Sequence, residues 1–123
     1  MARILVIDDE ELVRMTIRQT LERRGHEVAE AVNGRAVLKL QRTRPVDLVI
    51  TDLLMPEKEG IETIRDLKRE YPDVKIIAMS GGAPVGKTSY LAMSQRFGAD
   101  STLIKPFGPD ELLSAVDRLL RPE

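Results

Sequence analysis

The sequence predicts a doubly wound α/β domain built on a five-stranded parallel sheet with five helices. Three observations carry that prediction. Short β-branched apolar runs alternate with stretches whose apolar residues recur at helical spacing. The strand-like runs are almost continuously apolar, as expected where helices cover both faces of a sheet. The length of 123 residues fits one domain in the usual range of ~100–200. We therefore expect a single domain over residues 1–123.

Each element has its own signal. Ile4-Leu5-Val6-Ile7 reads as a first strand. Val13, Ile17 and Leu21 then recur at i, i+4 and i+8, and the helix they mark stops at Gly25. Glu27 to Ala31 is a weaker second strand, closed by the turn pair Asn33-Gly34. A short helix with Val37 and Leu40 is expected from about Arg35 to Gln41, ahead of Pro45. Leu48 to Thr51 is the third strand, and Pro56 and Gly60 punctuate the loop after it. Ile61, Ile64 and Leu67 mark a helix ending near Tyr71-Pro72. Val74 to Met79 is the fourth strand, followed by a Gly- and Pro-rich loop from Ser80 to Gly86. A weakly periodic helix is expected from about Lys87 to Phe97 and a short fifth strand from Thr102 to Ile104. Asp110 to Leu120 is the last helix, with Leu112, Leu113, Val116, Leu119 and Leu120 on one face. At this size the flavodoxin-like strand order 2-1-3-4-5 is the expected solution.

Composition removes several function classes. Apolar residues make up 42% and charged residues 32%, ordinary for a soluble globular chain. There is no cysteine, so no disulfide scaffold, thiolate nucleophile or cysteine zinc site. His26 is the one histidine, which leaves Ser-His-Asp chemistry and two-histidine zinc sites hard to build. Nineteen basic against twenty acidic residues give a net charge of -1. A nucleic-acid-binding domain would be clearly basic, so direct DNA binding is not expected. No apolar run approaches the ~18–20 residues of a membrane span, and no signal-peptide pattern precedes the first strand. A cytoplasmic chain without membrane association is expected. The last helix is followed only by Arg121-Pro122-Glu123, so no output domain is expected.

In folds of this class the ligand site lies beyond the carboxyl ends of the strands. Strand one ends in Asp8-Asp9, with Glu10 and Glu11 next. Strand three ends in Asp52, strand four in Ser80, and strand five in Lys105-Pro106. Three carboxylates, a hydroxyl and an amine would converge on one sheet edge. Carboxylates held close together are costly unless a cation sits among them. Hard oxygen ligands of this kind suit Mg²⁺, which takes a few carboxylates together with waters and a phosphate. Each residue also has a plainer use: Asp9 as N-cap of the first helix, Ser80 as a loop residue, Lys105 as a solvated amine. It is their joint occurrence at four of the five strand ends that points to a site.

In these features the chain resembles the response-regulator receiver domain of two-component signalling. The resemblance spans essentially the whole chain. It rests on Asp8-Asp9, on Asp52-Leu53-Leu54-Met55-Pro56 with Gly60, on Ser80-Gly81, and on Gly98-Ala99-Asp100 followed by Lys105-Pro106-Phe107. It implies that Asp52 accepts a phosphoryl group from a phosphohistidine on a histidine kinase or phosphotransfer protein. It implies Mg²⁺ held by Asp8, Asp9, Asp52 and the Leu54 backbone carbonyl. Lys105 would contact the phosphoryl oxygens, and Ser80 would act as the switch hydroxyl. The implied protein is a switch rather than an enzyme on other substrates, catalysing only its own phosphorylation and dephosphorylation. Its partners would be the kinase and a downstream protein target, the latter docking on the last two helices and the fifth strand. It would be a monomer or a phosphorylation-dependent dimer.

Two departures from the family pattern are visible. The position three residues before Lys105, usually aromatic, is Thr102. Leu54 and Gly82, at positions the family links to hydrolysis rate, offer no side-chain group to orient water. Two other readings compete. Gly81 to Thr88 matches the P-loop pattern G-x-x-x-x-G-K-[ST] after a predicted strand. A nucleotide-binding reading leaves Asp8, Asp9 and Lys105 without a role, and only a strand and two helices follow or overlap the motif. A pseudo-receiver acting as a binding module would need a broken acidic cluster, and here every member is present.

Overall fold

A computed structural model describes residues 2–35, 37–53, 60–81, 95–96 and 98–121. The elements in chain order are β1 (Arg3–Ile7), α1 (Glu11–Arg23), β2 (Glu27–Ala31), α2 (Val37–Thr43), β3 (Leu48–Asp52), α3 (Gly60–Glu70), β4 (Lys75–Gly81), β5 (Ser101–Lys105) and α4 (Pro109–Leu120). The five strands form one sheet in the order β2-β1-β3-β4-β5. Every neighbouring pair is parallel. This is the predicted flavodoxin-like order, with the crossover that leaves a crevice at the carboxyl ends of β1 and β3.

Alternation along the strands explains why the apolar runs are continuous. Leu5, Ile7, Val49, Ile76 and Ala78 face one layer and pack with Ile64 and Leu67 of α3 and Val37 of α2. Ile4, Val6, Leu48, Ile50, Ile77 and Met79 face the other, against Ile17 and Leu21 of α1 and Leu112, Ala115 and Val116 of α4. Successive side chains point to opposite faces, so a strand covered on both sides has no place for a polar residue until it ends. Leu21, Ile64, Leu67 and Leu112 are fully buried, each stabilising the fold by roughly 1.5–3 kcal/mol. Gly25 ends α1 as predicted. Its φ of 94° lies in the left-handed region, and its N–H donates to the Glu22 carbonyl at 2.9 Å.

Several boundaries differ from expectation for identifiable reasons. Ser80 and Gly81 belong to β4 rather than to a loop, because β5 pairs with them at Ser80↔Ile104 and Gly81↔Lys105. The same pairing brings Lys105 into β5. Helix α2 runs two residues later than predicted. The Asn33 side chain accepts the Arg35 N–H at 2.9 Å and holds that segment in a turn. After the helix, the Gln41 amide exchanges two hydrogen bonds with the Val46 backbone. Most of the helix expected from Lys87 to Phe97 lies outside the described residues, within which Gln95 and Arg96 are helical.

Candidate functional site

Strand register builds the site. The β1–β3 ladder ends at Ile7↔Thr51, so the next residues, Asp8 and Asp52, stand side by side at the carboxyl edge. Asp52 is itself the last residue of β3 and pairs with Met79. Ser80 and Lys105 lie at the same edge on β4 and β5. Four of the predicted site residues are thus delivered by strand ends, and Asp9 follows Asp8 into the turn before α1.

Asp8 is wholly buried, and its polar atoms are all engaged. Its N–H donates to the Ala31 carbonyl at 3.1 Å. Its own carbonyl accepts from Arg14 Nη1 at 2.6 Å. Carboxylate Oδ1 accepts the Glu10 N–H at 2.9 Å, and Oδ2 accepts from Lys105 Nζ at 2.7 Å. Lys105 Nζ also reaches Asp52 Oδ2 at 3.5 Å and Glu10 Oε1 at 4.0 Å. The Lys105 side chain is 18% exposed, so it is no solvated surface amine. Burial pushes its ammonium pKa down, but the hydrogen bond to Asp8 and the charges of Asp52 and Asp8 outweigh that and raise it.

Asp9 is exposed and does not cap α1, whose N-cap position is Glu10, without a side-chain cap hydrogen bond. It joins the other carboxylates instead. One oxygen each of Asp8, Asp9 and Asp52 lie within 4.8 Å of one another. Set against the Lys105 ammonium alone, three carboxylates leave a deficit of two positive charges. One divalent cation would balance it, and an all-oxygen donor set suits a hard ion such as Mg²⁺. The residues present therefore fit the metal. The Leu54 carbonyl, predicted as a further ligand, lies outside the described residues.

Ser80 is 1% exposed, and its hydroxyl donates to the Gly81 carbonyl at 3.4 Å. A bond that long is weak and cheap to exchange. Behind Asp52, the buried Thr51 hydroxyl donates to the Asp52 carbonyl at 3.0 Å. The Gly60 N–H donates to the Leu53 carbonyl at 2.9 Å. Helix α3 begins so close to β3 that a Cβ at Gly60 would overlap the Asp52 carbonyl oxygen and come within 2.6 Å of Leu53 Cα. That is the physical need for glycine at this position.

Arg14 and Glu30 were not among the predicted site residues. Arg14 Nε donates to Glu30 Oε1 at 3.1 Å, and Arg18 Nη1 donates to Glu30 Oε2. The legible signal was an acidic residue inside a strand, Glu30, with Arg14 and Arg18 four residues apart on the preceding helix. Thr102 is half-buried and lines a groove of about 380 Å³ with Asp110, Ser114 and Arg118. A depression of about 620 Å³ lies at the opposite end of the sheet, around Asp47, Tyr71 and Lys75. It is remote from the carboxylate cluster. Of the P-loop-like stretch, Gly81 is the last residue of β4 and positions 82–88 lie outside the described residues. Among the described residues, no helix is long and apolar enough to cross a membrane.

A family model described as the response regulator receiver domain matches residues 4–117. The chain is 34% identical to the chemotaxis protein CheY of Thermotoga maritima over 95% of its own length and 96% of that protein. It is 37% identical to the DNA-binding transcriptional regulator NtrC of Azospirillum brasilense, covering 97% of this chain but 24% of NtrC. Among solved structures, the receiver domain of NtrX from Brucella abortus superposes with a TM-score of 0.90 at 27% identity, covering 98% and 99% of the two chains. The chain thus matches some relatives along their whole length and others over one domain.

Proposed function

The chain belongs to the response-regulator receiver family, and on that premise we propose that Asp52 is the phosphoacceptor of a two-component switch. The observation that carries the assignment is the Lys105 ammonium lying between Asp8 and Asp52 at 2.7 and 3.5 Å, within a cluster of three carboxylates. An Asp52 carboxylate oxygen attacks the phosphorus of a phosphohistidine on a partner protein. The O–P bond forms as the P–N bond breaks, and the imidazole nitrogen keeps the electron pair. Phosphoryl transfer needs mainly positioning and charge neutralisation. Lys105 supplies one charge, and its ammonium turns from Asp52 to the phosphoryl oxygens. Asp8, Asp9, Asp52 and the Leu54 carbonyl would hold Mg²⁺, which when bound supplies neutralisation of the remaining negative charge. Ser80 exchanges its long bond to the Gly81 carbonyl for one to a phosphoryl oxygen, pulling the end of β4 toward Asp52.

We take residues 1–123 as one receiver domain working in the cytoplasm. It catalyses only its own phosphorylation and dephosphorylation. Its partners are a histidine kinase or phosphotransfer protein and a downstream protein target, with a phosphorylation-dependent dimer as the alternative readout. The position three residues before Lys105 holds the half-buried Thr102 in place of the family's aromatic residue.

Intact-mass measurement after incubation with acetyl phosphate tests the acceptor. One phosphoryl group is expected with Mg²⁺, none without it, and none in Asp52→Asn. Full labelling of Asp52→Asn would remove the assignment. No adduct, together with no beryllofluoride binding, would favour a binding module that is not phosphorylated.

A further inference from the structure

We infer that Arg14, anchored by Glu30, is a positioning residue for the acidic pocket, setting where Asp8 and Asp9 present their carboxylates. The inference rests on the metal-holding role proposed above. Three elements meet in this arrangement. Glu30 sits in β2, opposite Val6 of β1. Arg14 is in the first turns of α1, and its Nη1 donates to the Asp8 carbonyl at 2.6 Å while its Nε donates to Glu30 Oε1 at 3.1 Å. The pair is largely buried, with side chains 12% and 25% exposed. Arg18 holds the second Glu30 oxygen, so the carboxylate that anchors Arg14 is fixed from two sides.

The guanidinium is planar and its donors diverge at fixed angles. Once Glu30 orients Nε, the direction of Nη1 follows. The atom it reaches is the carbonyl of the peptide joining Asp8 to Asp9. That peptide is planar from Asp8 Cα to Asp9 Cα, so fixing its oxygen fixes the plane and the starting point of the Asp9 side chain. Asp9 needs this support, because it lies between β1 and α1 where no ladder or helical hydrogen bond holds it.

Charge and geometry make opposite predictions here. Arg14 is a cation near a cation site. If it acted only through charge, removing it would make the pocket more negative and tighten Mg²⁺ binding. If it positions the carboxylates, removing it weakens binding despite the lost repulsion.

The test is Mg²⁺ titration by calorimetry of the full chain as wild type, Arg14→Met and Arg14→Lys, with thermal midpoints recorded without Mg²⁺. Both variants are expected to bind Mg²⁺ about tenfold more weakly, the scale of losing an outer partner of a metal ligand. The Lys variant keeps the charge and loses the divergent donors. Unchanged or tighter binding by Arg14→Met, or wild-type affinity in Arg14→Lys, overturns the inference. Should Arg14→Met fail to fold, Arg14→Lys decides alone by the same criterion. A wild-type chain that binds no Mg²⁺ overturns the metal reading and this inference with it. A wild type that binds, beside variants that bind equally well, overturns only the positioning role.

Discussion

At the scale of single residues, the site is a problem in charge. Asp8 is buried without cost in unsatisfied groups, because each of its polar atoms has a partner. Asp9 is the exposed member of the cluster, so its removal can be read without breaking the core. Asp9→Asn is expected to weaken Mg²⁺ affinity and, in the absence of Mg²⁺, to raise the thermal midpoint by about 2–5 °C as carboxylate repulsion is relieved. Scanning calorimetry of the metal-free proteins measures this. A lowered midpoint would mean that Asp9 is held by favourable partners rather than by the fold against its neighbours. Ser80 illustrates the opposite condition. Its residue is buried, but its hydroxyl bond of 3.4 Å is too long to resist a better acceptor.

At the scale of elements, placement depends on how closely α3 approaches β3. Gly60 lets the helix start against the Asp52 carbonyl and Leu53 Cα. Gly60→Ala forces backbone apart, since neither neighbour is a flexible side chain. A loss of about 2 kcal/mol in stability is expected by urea unfolding, together with slower labelling of Asp52 by acetyl phosphate. Wild-type stability and labelling would show that the α3 start yields without moving Asp52. Helix α1 serves two functions with two faces. Ile17 and Leu21 enter the core, while Arg14 and Arg18 reach across to Glu30 on β2. The helix that buries one side of the sheet thereby also braces the turn carrying Asp8 and Asp9.

At the scale of the whole molecule, the sheet separates two chemistries by its two ends. The carboxyl ends gather the carboxylates and Lys105. The amino ends carry His26, whose Nδ1 accepts the Ala2 N–H at 3.2 Å. Burial lowers the His26 pKa, aided by the chain's amino terminus and Arg24 and opposed by Asp117. The folded value lies below the ordinary 6.5, so between the two the unfolded chain binds more protons. Stability is therefore held above about pH 6.5 and falls as the pH drops toward the folded value. Urea midpoints at about pH 7.5 and about pH 5.5 should fall further for the wild type than for His26→Gln; equal falls would exclude His26 as the cause. Lys105 acts at the other limit. Its folded pKa is raised above 10.5, so its contribution is complete below that value and is lost as the pH rises through the folded one.

Much of this was determined by the sequence alone. Periodicity located the strands and most helices, because burial on two faces leaves a continuous apolar run and burial on one leaves a helical stripe. The strand ends then exposed Asp8, Asp9, Asp52, Ser80 and Lys105, since a polar residue closing an apolar run has few uses inside a sheet. Tertiary structure decided what depends on partners distant in the chain. Pairing with β5 extended β4 through Ser80 and Gly81. The Asn33 turn delayed α2. Lys105 came to Asp8 across 97 residues of chain, and Arg14 to Glu30 across 16. Local propensity carries no information about such contacts, because they are fixed by strand order and register, which exist only once the sheet has formed.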